Sequence, residues 1–213
     1  HQFKGALTWR KAFFGDYETS IALVGERRSG RPYSFTFGGG TPLGVWGDPR
    51  QSSRQRHLFY VPADVNDVIY EVLCTAANVS AGVAGCASTA SVNAANSAAF
   101  AAATEAYIQQ QGLEKYRGRI VPRNSHRSPW LSILDLRFSQ ELPVWRRARG
   151  VLTLDVENFA NMINNDWGQL RQVSFAYFTP VVDVNRIDAA TNRYVYRPRS
   201  GQTGPVAPFN SLS

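Results

Sequence analysis

The stretch from Trp130 to Gly168 constrains the fold most, because its polarity alternates residue by residue. In an extended chain successive side chains point to opposite sides. Trp130, Leu134, Leu136 and Phe138 therefore share one face, and Asp135, Arg137, Ser139 and Glu141 share the other. The pattern returns further on, with Leu152, Leu154 and Val156 against Thr153, Asp155 and Glu157. Between the two runs, Pro143 to Gly150 supplies a proline, several arginines and a glycine, which suits a turn. The prediction is a hairpin of strands about 10 residues long, with one apolar and one charged face. Two environments accept such a hairpin. In the wall of a membrane-spanning barrel the apolar face meets lipid and the polar face the lumen. In a soluble sandwich the apolar face is hidden against a second sheet.

The same alternation opens the chain. Phe3, Gly5, Leu7 and Trp9 interleave with Lys4, Ala6, Thr8 and Arg10 in a first strand ending near Phe13. After a turn at Gly15 and Asp16 comes a second strand, with Ile21 and Leu23 opposite Glu26 and Arg28. Tyr33, Phe35 and Phe37 extend it if the chain passes the kink expected at Gly30 to Pro32, where proline lacks an amide donor. From Gly38 to Pro129 the alternation stops. This insertion holds a short apolar strand at Leu58 to Pro62, a helical turn near Asp64 and a weakly structured Thr75 to Asn96. It also holds the best helix, within Ser97 to Gly118, with Phe100, Ile108 and Leu113 as its contacts. Phe59, Tyr60, Tyr70, Tyr107 and Trp46 are expected to pack the insertion. Beyond the hairpin, Leu170 to Thr179 and Arg193 to Arg197 read as weaker strands, with Asp188 and Asn192 in turns between them.

With 213 residues the chain is one domain or a piece of a larger protein. No apolar run reaches the roughly 18 residues of a membrane-spanning helix, which leaves barrel strands open. No charged-then-apolar leader begins the sequence, so either a leader is removed or the chain starts within a longer protein. A net charge of +7 implies affinity for anions. Cys74 and Cys86 lack metal-site spacing, and both a disulfide and two thiols stay open.

Catalytic signatures are missing: there is no GxSxG, HExxH or phosphate-loop motif. His1, His57 and His126 are scattered, so no metal site and no cofactor are expected, and the reading is non-enzymatic. Arginines are the concentrated resource, at Arg27, Arg28 and Arg31, at Arg117, Arg119, Arg123 and Arg127, and at Arg146, Arg147 and Arg149. They serve either to capture anions or as solvated strand ends paired with acids. A nucleic-acid module would need a continuous basic face with stacking aromatics, and no nucleic-acid partner is expected.

Several segments together resemble a known family. ERRSGRPYSF at Glu26 to Phe35, LFYVP at Leu58 to Pro62, RGRIVPRNSHRSPWLSILDLRFSQELP at Arg117 to Pro143 and LTLDVENFANMINNDWG at Leu152 to Gly168 are similar to the C-terminal barrel half of TonB-dependent outer-membrane receptors, nearest the Oar-like subgroup. The resemblance runs in order over most of the chain and is weakest from Thr75 to Ala103. It implies a mainly β fold, with antiparallel strands forming part of a transmembrane β-barrel and a helix-containing extracellular insertion at 38–129. Such receptors have a plugged 22-stranded barrel and import nutrients with energy passed on by TonB. Neither the plug nor the closing aromatic-ended strand is found in this sequence, so the resemblance implies a segment of a longer protein. The implied location is the bacterial cell outer membrane. The implied partners are outer-membrane lipid and lipopolysaccharide, the TonB system through a plug domain, and an extracellular ligand. Arg54, Arg56 and Tyr60 in the insertion are the candidate ligand-binding residues. Residues 170–197 become either a hairpin above the rim or further wall strands. The competing expectation is a soluble or surface-attached β-rich binding or adhesion module.

Overall fold

The computed structural model describes residues 1–39, 57–145 and 148–209. In chain order the strands are β1 (Gln2–Phe14), β2 (Tyr17–Arg28), β3 (Pro32–Thr36), β4 (Tyr60–Val61), β5 (Ile69–Tyr70), β6 (Arg119–Ile120), β7 (His126–Arg127), β8 (Leu131–Trp145), β9 (Ala148–Val156), β10 (Phe178–Pro180), β11 (Asp183–Ile187) and β12 (Tyr194–Arg197). The helices are α1 (Ala76–Ser80), α2 (Ala94–Gln110) and α3 (Phe159–Ile163), with a 3-10 turn at Glu114–Tyr116. The fold is mainly β with few helices, and among the described residues no sheet closes into a barrel. The chain divides into two compact units. Among the described residues, one comprises 1–31 and 127–172, the other 32–126 and 173–209.

The first unit is built on a four-stranded antiparallel sheet in the order β1-β2-β8-β9. Gly15 makes the tight β1–β2 turn possible, because its φ of +61° lies in the left-handed region that costs other residues energy. β8 and β9 run through the expected Pro143-to-Gly150 turn, with Pro143 opposite Arg149 and Trp145 opposite Ala148. The second strand does not continue past Gly30. β2 ends at Arg28, and Tyr33 and Phe35 lie in β3, in the other unit. After β9, Asn158 adopts a left-handed φ of +52° and its amide donates to Asp135 Oδ1 at 2.8 Å, turning the chain into α3. A Cβ at Gly168 would run into the Asn158 carboxamide, so the Asn-rich run and its Trp-Gly are locked together by close approach.

The second unit has its own core. Phe35, Phe59, Val61, Ile108, Leu113, Val121, Val182, Val184 and Tyr196 are fully buried. β3 pairs in parallel with β10, Ser34 opposite Phe178. β12 pairs antiparallel with β11 and in parallel with β5. So 170–197 contributes β10, β11 and β12 to this unit rather than strands to the four-stranded sheet. The 38–129 stretch, expected as a long loop, largely belongs to this unit and shares its core with residues from Val173 on. Helix α2 starts where Asn93 caps it, its side chain accepting from the Asn96 amide at 3.0 Å. Its buried positions Ser97, Phe100, Ala101, Thr104, Tyr107 and Ile108 follow helical spacing. The Thr75 to Asn96 stretch is more ordered than its composition predicts. Thr75 and Asn78 form a capping box for α1, and Cys74 and Cys86 are joined by a disulfide. No described helix is long and apolar enough to cross a membrane.

Candidate functional surfaces

Register fixes which side chains of the four-stranded sheet share a face, because residues directly opposite point the same way. Leu7, Leu23, Leu136 and Val156 form one row across all four strands, and Trp9, Ile21, Phe138 and Leu154 form the next. Gly5, Gly25 and Leu134 lie on the other side of the Leu136 row. These rows make one contiguous apolar face. On the edge strands it is bare, with Leu7 68% and Leu154 58% exposed. Aromatic rings stand at both ends. Phe3 stacks on Trp130 with centroids 6.4 Å apart, and Trp9 meets Phe13 at 5.4 Å.

The opposite face is polar and ion-paired. Lys4 meets Glu26 at 3.5 Å, Arg10 meets Glu18 at 3.7 Å and Arg149 meets Glu141 at 3.0 Å. Arg137 forks onto Asp155 with two bonds of 2.6 and 3.0 Å. These pairs are cross-strand neighbours, so they reinforce the register, but solvent screens each of them and none is a large source of stability. The alternation read from the sequence thus becomes two chemically opposite surfaces on one sheet.

In the second unit, Tyr60 lines a recess of about 460 Å³ together with Asp67, Arg119, Ile120, Arg193 and Tyr194. The Tyr60 hydroxyl donates to Asp67 Oδ2 at 2.7 Å, and the same oxygen accepts the Ala63 amide at 2.8 Å. Burial and that carboxylate push the Tyr60 phenol up to about 12, so it remains a neutral donor at physiological pH. The Tyr60 and Tyr194 rings lie 5.7 Å apart. Of the three expected ligand residues, Tyr60 is placed on this recess, while Arg54 and Arg56 lie outside the described residues. Arg117, Arg119, Arg123 and Arg127 do not act together. Arg117 is bound to Glu105 and to the Pro62 carbonyl, and Arg119 lines the recess. Arg193 and Tyr194 escape sequence reading because they come from a segment far along the chain, whereas Asp67, 7 residues after Tyr60, is brought back to it by the hydroxyl–carboxylate bond.

Elsewhere in the second unit, β5, β11 and β12 converge on Glu71, whose side chain is 6% exposed. Arg186 reaches its Oε2 at 2.9 Å, while the Nε of Arg197 donates to Oε1 at 3.0 Å and its Nη2 to the same oxygen. Burial alone would raise the Glu71 carboxyl, but the two guanidiniums outweigh it and hold the group below its usual 4.5. A carboxyl depressed in the folded state contributes stability that is complete above its unfolded value and is lost as pH falls through the folded one. The second unit should therefore weaken on acidification below about pH 4.5. Glu71→Gln should cost about 1–3 kcal/mol at pH 7 and flatten that acid limb, measured by denaturant unfolding at pH 7 and pH 3.

Among the described residues no group of histidine, cysteine and carboxylate side chains could hold a metal ion. No protein-family model, curated protein or solved structure matches the chain. The functional reading therefore rests on the two faces of the sheet and on the resemblance in sequence.

Proposed function

We propose that the four-stranded sheet is a stretch of barrel wall from a TonB-dependent receptor in the bacterial outer membrane, and that the second unit belongs to its extracellular side. One observation carries the reading: a contiguous apolar face across four long strands lies uncovered, directly behind a face of cross-strand ion pairs. In water an uncovered apolar face of this extent is a liability. Against hydrocarbon it is the stable arrangement, with the ion-paired face toward an aqueous lumen.

The dimensions agree. From the Phe3 end to the Phe13 end is about 10 residues, or about 34 Å of strand. Tilted by about 40°, that spans about 25 Å along the membrane normal, the height of the apolar band in outer-membrane barrels. The aromatic rings at both ends match the girdles that flank such a band. The Gly15 turn and the Trp145 and Ala148 strand ends lie at one end, while the long connections leave from the other, the arrangement of periplasmic turns and extracellular loops. A disulfide in the second unit is in keeping with an oxidising compartment outside the cytosol. Function in this reading is uptake without chemistry. The second unit, with its recess at Tyr60, meets a ligand outside, and a plug domain answers to TonB.

The test is accessibility at neighbouring positions. With both native cysteines bonded, Leu136→Cys and Arg137→Cys can each carry a nitroxide in the bilayer-reconstituted chain. The label at 136 is expected to be accessible to oxygen and shielded from a water-soluble nickel chelate, and the label at 137 the reverse. Equal chelate accessibility at both would remove the barrel-wall reading. The second reading, a soluble or surface-attached β-rich binding module, draws on the second unit's independent core.

A further inference from the structure

Charges on the four-stranded sheet are distributed unequally between its faces. On the polar face Lys4, Arg10, Arg28, Arg137 and Arg149 each have a carboxylate within 4 Å. All the acids of these strands, Glu18, Glu26, Asp135, Glu141 and Asp155, lie on that face by register. Among the described residues the apolar face carries two charged side chains, and both are cations. Arg27 sits opposite Phe3 and Ser132, at one end; Lys11 sits opposite Thr19, near the other. Neither forms a salt bridge among the described residues. Each lies over an aromatic ring instead: the Arg27 guanidinium is 5.3 Å from the Trp130 centroid, and Lys11 Nζ is 5.4 Å from that of Phe13.

We infer that Arg27 with Trp130 and Lys11 with Phe13 are two contact points for lipid phosphates, one at each headgroup layer of the membrane. This inference rests on the barrel-wall reading and gives its lipid contact a chemistry. The two cations are about 8 residues apart along the sheet, roughly 27 Å of strand and roughly 20 Å along the normal at the tilt of barrel strands. Long basic side chains extend outward from their backbones, so the charged heads bracket a band about 25 Å tall. Their stems and the paired rings lie at the hydrocarbon boundary, where amphipathic rings are favoured. A cation without a carboxylate partner, on a face whose only other polar side chains are neutral ones such as Thr19, Ser132 and Gln140, is costly beside another protein layer, since packing would bury an unpaired charge. At a headgroup layer the phosphate is the missing partner, and a guanidinium fork suits its oxygens.

The experiment is flotation of the refolded chain with vesicles of phosphatidylcholine alone, or of phosphatidylcholine with about one phosphatidylglycerol in three lipids, in about 0.15 M salt. The readout is the ratio of the two partition coefficients. Arg27→Gln and Lys11→Gln should each lower that ratio by about fivefold. Arg27→Lys, which keeps the charge, should largely retain it. Arg10→Gln removes a cation from the opposite face and should leave it unchanged. Ratios equal to the unmodified chain's in the first two variants, or an equal drop in Arg10→Gln, overturn the phosphate contacts while leaving the barrel wall standing. Failure to float with either vesicle overturns both.

Discussion

Replacing Phe35 by alanine is expected to cost the second unit about 4 kcal/mol, a large share of the 5–15 kcal/mol that holds a typical domain together. Phe35 is fully buried. Its ring meets Tyr33 at 5.4 Å, His126 at 4.8 Å and Tyr107 at 6.3 Å, all edge-on. Removing it deletes the transfer energy of the ring, leaves a cavity between elements that cannot collapse independently, and breaks three aromatic pairs at once. Thermal unfolding followed by near-ultraviolet circular dichroism reports the loss, because Tyr33, Tyr107 and Tyr196 are packed in this core and lose their fixed surroundings with it. Val65→Ala, at a position 57% exposed, should stay within about 0.5 kcal/mol. A Phe35→Ala midpoint indistinguishable from that of Val65→Ala would mean that this core does not hold the unit together.

Leu136→Arg is expected to destabilise the membrane-inserted sheet by about 2–4 kcal/mol, and the informative quantity is how that penalty varies along the strand. Leu136 lies midway between the row of Arg27 and the row of Lys11, which places it at the centre of the apolar band. Leu142 shares its face near the turn and is 43% exposed. In a bilayer the penalty for arginine falls to about 0–1 kcal/mol near the interface, so Leu142→Arg should be mild. Against a second protein sheet both positions would be penalised according to their packing, without a gradient tied to depth. Denaturant unfolding from vesicles of the two variants distinguishes these outcomes: equal large losses would contradict lipid contact.

The sheet was legible in the sequence because its strands are long. β1, β2 and β8 run for 13, 12 and 15 residues, enough for alternation to stand out, and the pairing puts Leu136 and Val156 on the face where their spacing placed them. The second unit was not legible for the opposite reason. β4, β5 and β6 are two residues each, too short for any period to register. β11 passed unnoticed: Val181, Val182 and Val184 lie beside Asp183, which is itself buried, so no clean alternation appears. Tyr33 and Phe35 alternate like a continuation of β2, yet they serve a different sheet, since β3 takes a parallel partner from far along the chain. Parallel partners distant in sequence leave no local signature. Of the recess residues, Tyr60 was named from the sequence as a residue of the insertion. Tyr194 and Arg193 join it only through the β11–β12 hairpin.

The second unit's core draws on segments from both sides of the β8–β9 hairpin, and this sets an order of assembly. β3 waits for β10, and β5 waits for β12, so the unit cannot close until the chain beyond Val173 has arrived. By then both hairpins of the sheet, each between neighbours in sequence, have had time to form. Local pairings precede distant ones because loop closure is slower and entropically harder. During that interval Phe35, Phe37 and Phe59 have no finished interior to enter. A chain released during this window is at its most vulnerable to chaperone capture and proteolysis, and its fate is decided by how quickly its last three strands reach their partners.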